Sequence, residues 1–317
     1  MAKGIIGLDV GGTNIKAALV VGQRIARRVK IASRAESGIE YSIPQIKKAI
    51  APFRKEARAI GIGIAGIIDS KRGMVRFSPN LRGWNNVPIG SILRREYGIR
   101  VRVLNDVNAI CLGEWKYGSA QGCNNVFLFT LGTGVGGAAI CDGRLLFGAH
   151  GFAGEFGHTT INPTGPECKC GQRGHLERYA GAKYIVVRAR RKMRKQKSSL
   201  ANYDALTPEI IARAAKKGDL VAREVFTEVA YYIGIGVANI IALFDPDIVI
   251  ISGGIARAGR VLFDPVRKNV RQLVLGAKHR RYKILPAKLG DDAGVLGAAF
   301  FAAQTVQSVK RENQRVG

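Results

Sequence analysis

Apolar residues in this chain are grouped in short runs of strand length, and longer segments with helical spacing lie between them. In the first half the pattern predicts strands at 4–9, 14–21 and 25–33, a helix from about Pro44 to Arg58, strands at 59–64 and 100–104, and a helix to about Tyr117. In the second half it predicts strands at 125–131 and 135–141, helices near 178–195, 207–217 and 219–244, a strand at 247–252 and a last helix from 295 to about 309. The order of elements repeats, which predicts an α/β protein of two similar halves.

Each half contains a strand that runs into a tight turn of Gly and Thr and continues as a second strand. The turns are Asp9-Val-Gly-Gly-Thr13 and Thr130-Leu-Gly-Thr-Gly134. Glycine permits positive φ and close approach of the backbone to a ligand, while free N–H groups and a Thr hydroxyl suit phosphate oxygens. Two such turns predict a phosphate tail held from both sides of a cleft between duplicated halves.

The repeat also predicts where the domains divide. We expect a smaller N-terminal lobe of residues 1–117 together with 292–317, and a larger lobe of residues 118–291, with a hinge near 117–124. Asp291 and Asp292 precede the last helix and are expected to cap it, and its Gly-Ala-Ala face suits packing against the first half.

Asp106 is the leading candidate for a catalytic side chain. It lies where a predicted strand ends and a helix begins, the position at which α/β sheets expose ligand-binding groups. A protein that grips phosphates needs a base to accept the proton of the acceptor hydroxyl, and Asp106 suits that role. The alternative is that Asn105 or Asp106 only caps the helix.

A Gly-rich segment carries four residues of the kind that bind zinc. These are His158, Cys168, Cys170 and His175. With four protein ligands there is no open position for water, so we expect a structural Zn²⁺ that fixes the neighbouring Glu155 and Glu177 for hydrogen bonding to vicinal hydroxyls. The alternative is two free cysteines and two surface histidines.

Composition narrows the class of protein further. Of 317 residues, 47% are apolar and five are Cys without a disulfide-type pattern, and the longest apolar run, 231–244, is too short to span a bilayer, so we expect a cytoplasmic protein with no membrane partner. The N-terminus lacks the apolar core of a signal peptide.

The net charge of +27 attracts anions. The basic run at 188–197 is interpreted either as a solvated helix face or as a polyanion site, and no aromatic residue in it is available to stack bases.

These motifs together resemble the ROK group of sugar kinases and repressors, within the actin-like ATPase clan that includes hexokinases. The resemblance covers nearly the whole chain. It rests on segments 9–16, 63–66, 78–84, 104–109, 130–137, 154–158 and 168–177.

The resemblance implies two ribonuclease-H-like domains, ATP with Mg²⁺ in the cleft and a hexose between the lobes. It implies that Asp106 is the general base and that Asp9 positions Mg²⁺ through water. The implied sugar contacts are Gly66, Asn80, Asn105, Asp106, Glu155, His158 and Glu177. The implied nucleotide contacts are Asp9, Gly11, Gly12, Thr13, Asn14, Lys16, Gly132, Thr133, Gly134, Gly253 and Gly254. The family usually has Cys where this chain has His175, so we expect a zinc site of two Cys and two His.

Segment 78–89 is similar to that of the family's glucokinases, which favours glucose as acceptor. Mannose, fructose, glucosamine and N-acetylmannosamine remain alternatives, because they differ from glucose by one or two substituents. Polyphosphate is an alternative donor, although the zinc loop favours ATP. A sugar-responsive DNA-binding repressor is a third hypothesis, but few residues precede the first strand, which argues against a nucleic-acid partner. A homo-oligomer is left open.

Overall fold

The computed structural model of this chain describes residues 3–304. The strands are β1 Gly4–Val10, β2 Asn14–Val21, β3 Arg24–Ala32, β4 Ala57–Ile64, β5 Ile67–Asp69, β6 Met74–Phe77, β7 Asn85–Val87, β8 Arg100–Asn105, β9 Val126–Leu131, β10 Val135–Cys141, β11 Arg144–Leu145, β12 Ile248–Ser252 and β13 Lys283–Pro286. The helices are α1 Ile39–Ile50, α2 Ile89–Tyr97, α3 Asp106–Tyr117, α4 Glu177–Ala180, α5 Ala182–Met193, α6 Pro208–Lys216, α7 Leu220–Phe244, α8 Arg260–Leu273 and α9 Ala293–Ala303.

The chain forms two compact units that are discontinuous in sequence. Unit 1 comprises the described residues up to 121 with 147–153 and 291–304, and unit 2 comprises 122–146 and 154–290. The predicted lobe boundaries at 117/118 and 291/292 lie close to these. They differ in that residues 147–153 group with unit 1, whereas the prediction placed them in the second lobe.

The two main sheets repeat one strand order. In unit 1 the order is β3-β2-β1-β4-β8, and in unit 2 it is β11-β10-β9-β12-β13. In each sheet the central strand, β1 or β9, pairs antiparallel with the next strand of the chain and parallel with β4 or β12. Because parallel strands end at the same edge of a sheet, β1, β4 and β8 present their carboxyl ends together in unit 1, as β9, β12 and β13 do in unit 2.

Each sheet is covered by its own apolar core. In unit 1 the core includes alternate residues of the central strands, among them Ile6, Leu8, Ile60 and Ile62, each 0% exposed. In unit 2 the core gathers β9 and β12 against α5, α6, α7 and α8. Burial on this scale, at about 25 cal/mol per Å² of apolar area, is what stabilises each unit.

Helix α9 packs against the central strands of unit 1, as the sequence predicts. The fit depends on glycine: a Cβ on Gly7 of β1 would overlap the carbonyl oxygen of Val295, and one on Gly61 of β4 would overlap that of Ala298. The predicted capping role is wrong for Asp292, which makes no side-chain cap and whose carboxylate instead accepts a hydrogen bond from Arg28 at 3.0 Å. The predicted helix extension at 305–309 lies outside the described residues.

Two other predicted helices differ in their bounds. Helix α1 begins at Ile39, after Gly38, with Pro44 inside it, and ends at Ile50, because Pro52 follows within a short 3₁₀ turn. The predicted helix at 178–195 is two helices, α4 and α5, since Gly181 between them is extended.

Part of the basic run at 188–197 forms salt bridges between α5 and α7. Arg188 pairs with Glu228 at 2.9 Å, and Lys192 pairs with Glu224 at 2.8 Å and with Glu228 at 2.6 Å. For Arg188 and Lys192 the structure therefore favours the interpretation as a helix face and disfavours a polyanion site.

Helix α7 is long and apolar enough to span a membrane by length and composition alone. However, 61% of its most apolar window is buried inside the protein, and it is the central helix of the unit 2 core. One such helix is weak evidence for a membrane span, and its burial accounts for its composition.

Candidate active site

The first glycine turn joins β1 to β2 and is closed by short-range hydrogen bonds. The N–H of Gly11 donates to the carbonyl of Asn14 at 3.0 Å, and Ser33 donates through its N–H to Thr13 and through its hydroxyl to Gly12. A Cβ on Gly12 would lie 3.1 Å from the carbonyl oxygen of Asn80. Gly12 and Thr13 are exposed, so their polar groups are open to a ligand.

The second glycine turn joins β9 to β10 with the same kind of closure. The N–H of Gly132 donates to the carbonyl of Gly134 at 3.0 Å, and Ala182 donates to the carbonyl of Gly132 at 2.9 Å. Thr133 is exposed at the tip. Neither turn uses the positive φ that glycine permits, because Gly11, Gly12, Gly132 and Gly134 all keep ordinary φ angles. Close approach limits the side chain at Gly12 and Gly134, whereas a Cβ on Gly132 would meet no atom within 4 Å.

Asp9, near the end of β1, is part of a small charged cluster in unit 1. Lys16, its register partner on β2, lies 3.8 Å from the Asp9 carboxylate and 3.2 Å from that of Asp291. Burial raises the pKa of the Asp9 carboxyl; Lys16 opposes this shift and Asp291 adds to it. Lys16 is therefore shared between two carboxylates and offsets one negative charge, while remaining 28% exposed.

Asp106 begins α3 at the carboxyl end of β8. Its Oδ1 accepts the Val107 N–H at 3.0 Å, and the side chain is half-buried. The helix cap itself is Asn105, whose Oδ1 accepts the N–H groups of Val107 and Asn108 at 2.8 and 3.2 Å. Of the two capping candidates, Asn105 thus makes the principal cap, and the carboxylate of Asp106 stands beside it at the first turn of the helix.

Asn105 also links this strand end to the end of β4. Its Nδ2 donates to the carbonyl of Gly66 at 3.1 Å. Gly66 has φ of 128°, and a Cβ on it would lie 2.9 Å from the Cβ of Ser78. The side chain of Asn105 is therefore largely engaged in holding Gly66 and the helix start in place.

Two buried polar groups near these residues were not singled out by the sequence. The hydroxyl of Ser78, beside Gly66, and the amide oxygen of Asn108, one turn into α3, have no hydrogen-bond partner among the described residues. Ser78 and Asn108 are each 6% exposed. Burial without a partner costs about 1–3 kcal/mol. Such groups are therefore suited to a polar ligand. No sequence pattern marks them, because the lack of a partner depends on how the chain folds.

In unit 2, a short 3₁₀ segment that carries Glu155 and His158 packs on strand β10. A Cβ on Gly157 would overlap the carbonyl oxygen of Val135, and Gly154 lies against Gly137 in the same manner. Glu155 is exposed. The carboxylate of Glu177, at the start of α4, accepts the N–H of Val135 at 3.1 Å. The two predicted sugar carboxylates thus flank the strand that leaves the second turn.

The four predicted metal ligands come together. The ligand atoms of His158, Cys168, Cys170 and His175 all lie within 4.8 Å of one another. The Nδ1 atoms of the two histidines are 3.3 Å apart, and the Sγ of Cys170 is 3.3 Å from the Nδ1 of His175. Zn–S of about 2.3 Å and Zn–N of about 2.0 Å place tetrahedral ligand atoms about 3.3–3.8 Å apart, so the donors fit a zinc ion with little movement.

The surroundings of this cluster suit a metal also in their electrostatics. Burial raises the pKa of the Cys168 thiol and lowers the pKa of the His175 imidazole, with His158 adding to the second shift. A neutral imidazole is the form that binds metal, and a cation restores the thiolate that burial disfavours.

Gly253 and Gly254 follow β12, and Gly254 borders a cavity within unit 2. The cavity is about 240 Å³ in volume. Its lining residues come from α6 and the turn after β12: Pro208, Glu209, Ala212, Arg213, Lys216, Gly254, Ile255, Arg257 and Ala258. Both glycines are exposed, and the cavity combines an apolar wall with three cationic side chains.

Comparison with known proteins identifies the family. The ROK family profile matches residues 5–305. The chain belongs to the ROK family. A ROK family glucokinase from Streptomyces griseus, solved in complex with glucose and AMPPNP, has a TM-score of 0.82 at 36% identity, covering 95% of this chain and 99% of that one. This ROK protein thus has the predicted fold class, two ribonuclease-H-like domains of the actin-like ATPase type.

Two curated relatives illustrate the range of the family. A glucokinase from Thermotoga maritima is 39% identical over 303 residues, covering 93% of this chain and 96% of that protein. A xylose repressor from Caldicellulosiruptor bescii is 36% identical over 305 residues, covering 92% of this chain and 76% of the repressor. ROK chains of similar sequence therefore include enzymes and regulators.

Proposed function

We propose that this ROK protein is an ATP-dependent hexose kinase that phosphorylates the 6-hydroxyl, with glucose as the favoured acceptor. The observation that carries the proposal is the pair of glycine turns at matching strand ends, together with a carboxylate, Asp106, at the end of β8. Likeness to glucokinases over nearly the whole chain supports it.

In the proposed reaction Asp106 acts as the general base. Its carboxylate takes the proton of the sugar 6-hydroxyl as that oxygen bonds to the γ-phosphorus, while the bond from the γ-phosphorus to the bridging oxygen of ADP breaks. Asn105 keeps Asp106 in position through the cap of α3. Gly66, Asn80 and Asn105 are the proposed sugar contacts of unit 1, and the unpartnered hydroxyl of Ser78 is a further one.

The remaining roles are assigned to each unit separately. In unit 1 the turn at 11–14 and Lys16 contact phosphate, and Asp9 would hold Mg²⁺ through water, which would offset the carboxylate charge that burial disfavours. In unit 2 the turn at 132–134 contacts phosphate, Glu155, His158 and Glu177 contact the sugar, and the nucleoside occupies the cavity beside Gly253 and Gly254. ATP as donor also supports a cytoplasmic location.

A zinc ion fits the cluster of His158, Cys168, Cys170 and His175 as scaffolding. All four positions of a tetrahedral ion are filled by protein, so it supplies folding energy and no open site for chemistry. Its role is to order the segment between Glu155 and Glu177.

The test of this function is a coupled assay of the purified protein against a panel of hexoses, with ATP and polyphosphate compared at fixed Mg²⁺ and metal content measured on the same sample. Asp106→Asn removes the base but keeps an oxygen for the Val107 N–H, so kcat is expected to fall about 10²-fold or more with sugar binding retained. Near-normal turnover in that variant contradicts the assignment of Asp106, and the absence of hexose phosphorylation by the wild type contradicts the function.

A further inference from the structure

Both peptide groups of Val135, the residue that follows the second glycine turn, are held by the segment that carries the metal ligands. The N–H of Val135 donates to Oε2 of Glu177 at 3.1 Å, and its carbonyl oxygen lies against Gly157, where no Cβ would fit. Val135 itself is 5% exposed, so these contacts are shielded from water.

Each of these two contacts is adjacent in sequence to a metal ligand. Gly157 directly precedes His158, and Glu177 lies two residues after His175. The backbone between His175 and Glu177 is itself fixed, because Arg178 donates to the carbonyl of His175 at 3.0 Å and Leu176 donates to that of Thr159 at 3.0 Å. A shift of His158 or His175 therefore reaches Val135 through only one or two intervening residues.

The turn is shaped to receive the Glu177 carboxylate. A Cβ on Gly134 would overlap Oε2 of Glu177, and one on Gly181 would come within 3.0 Å of the carbonyl oxygen of Thr133. The carbonyl of Gly132 accepts the N–H of Ala182, so the end of α4 and the start of α5 close the other side of the turn. These contacts span a sequence separation of 42 residues between Val135 and Glu177.

We propose that Glu177 is a positioning residue for the nucleotide: with one carboxylate oxygen it holds the second phosphate turn in its binding conformation, and the metal cluster fixes Glu177 in turn. The proposal rests on the proposed function, which assigns phosphate to this turn and sugar to Glu177. One carboxylate then serves both substrates, with Oε2 on the turn and Oε1 left for a sugar hydroxyl.

The test measures nucleotide affinity in the absence of sugar, by calorimetry with AMPPNP and Mg²⁺. Glu177→Ala is expected to weaken binding about tenfold, the effect of losing one charge-assisted hydrogen bond. Glu177→Gln retains an acceptor oxygen and is expected to stay within about threefold of the wild type. Glu155→Ala is the matched control, because no described contact joins its carboxylate to the turn, and its sugar-free affinity for AMPPNP is expected to be unchanged.

Hydrogen exchange at the Val135 amide gives a second readout that does not depend on activity. Glu177→Ala and wild-type protein stripped of metal are both expected to lose protection at Val135, and stripping is expected to weaken AMPPNP binding in the wild type but not further in Glu177→Ala. If stripping unfolds the protein, the comparison of Glu177→Ala with Glu155→Ala decides.

Unchanged AMPPNP affinity and unchanged Val135 protection in Glu177→Ala would overturn the inference while leaving the kinase assignment intact. A wild type that binds no nucleotide would instead overturn the proposed function, and the inference with it. A loss confined to sugar affinity would show that Glu177 serves the sugar alone.

Discussion

The two glycine turns are built from nearly the same residues on the same sheet position, yet they are supported in different ways. The turn at 11–14 is supported by its own hairpin and by Ser33, whose N–H and hydroxyl bond Thr13 and Gly12. The turn at 132–134 is supported by a carboxylate 42 residues beyond Val135 and by a 3₁₀ segment that carries His158, one of the four proposed metal ligands.

The difference teaches that a duplicated motif need not have duplicated support. In unit 1 the charges near the turn, Asp9, Lys16 and Asp291, are partly exposed and remain available to a ligand and its cation. In unit 2 the nearby carboxylate is already committed to the backbone. We therefore expect the second turn to depend on distant parts of the fold and the first to depend mainly on itself.

Removal of the proposed zinc ion is expected to have the largest effect, and to affect only the second turn. Loss of a bound ion withdraws its binding free energy from the folded state, and a loss of a few kcal/mol lowers the Tm of a chain this size by about 5–10 °C. Hydrogen exchange should show faster exchange of the Val135 amide after chelation, with the Gly11 amide unchanged. Equal deprotection of both amides would show that the two turns are coupled to the metal alike.

A pair of glycine substitutions is expected to have the next largest effect. Gly157→Ala places a Cβ onto the Val135 carbonyl, which is backbone and cannot move aside, so the free energy of unfolding should fall by about 3 kcal/mol. Gly12→Ala brings a Cβ to 3.1 Å from the Asn80 carbonyl, a contact that a few tenths of an ångström relieve, and should cost about 1 kcal/mol or less. Chemical denaturation of both variants measures this, and a larger loss in Gly12→Ala would reverse the comparison.

The smallest effect is expected from Asp9→Asn, in the first turn's charged cluster. Because the pKa of Asp9 is raised from 3.8 by burial, its ionised form is disfavoured in the folded state, and the cost is present above the folded pKa and absent below the unfolded value of 3.8. The variant should therefore raise Tm by about 1–2 °C at neutral pH. The gain should vanish by about pH 3, below the unfolded value. Under the proposed role of Asp9 in positioning Mg²⁺ through water, kcat should fall in the same variant.

Asp291→Asn is the control for this last prediction, since its carboxylate is 71% exposed and should change Tm little. A Tm gain of Asp9→Asn that persists at acid pH would show that removal of charge is not its cause.

Sequence reasoning located strands β1–β4, β8–β10 and β12, both turns, the start of α3 and the four clustered Cys and His residues, because each is a local pattern of apolar spacing or residue type. It made no prediction for β5–β7, β11, β13, α2 and α8. It also identified the ROK family and the fold class, which the comparisons confirm. Its failures are non-local. Asp292 has a capping residue's place but bonds Arg28 across 264 positions, and the contact of Glu177 with Val135 depends on how α4 packs.

Two other features depend on packing that the sequence does not encode locally. Glycine in the two turns permits positive φ, whereas the structure uses Gly12 and Gly134 to leave room for Asn80 and Glu177. The Ser78 hydroxyl and the Asn108 amide oxygen lack hydrogen-bond partners because of how the described residues pack around them, which no local pattern indicates. The catalytic and binding roles of the predicted site residues remain predictions.

The packing of α9 on Gly7 and Gly61 has a consequence for synthesis on the ribosome. The central strands of unit 1 are translated before unit 2, but their covering helix is translated after all of unit 2. While unit 2 is translated, the nascent chain therefore carries a unit 1 sheet that α9 does not yet cover. Chaperone capture of that open apolar face is expected to cease only when residues 293–303 leave the exit tunnel.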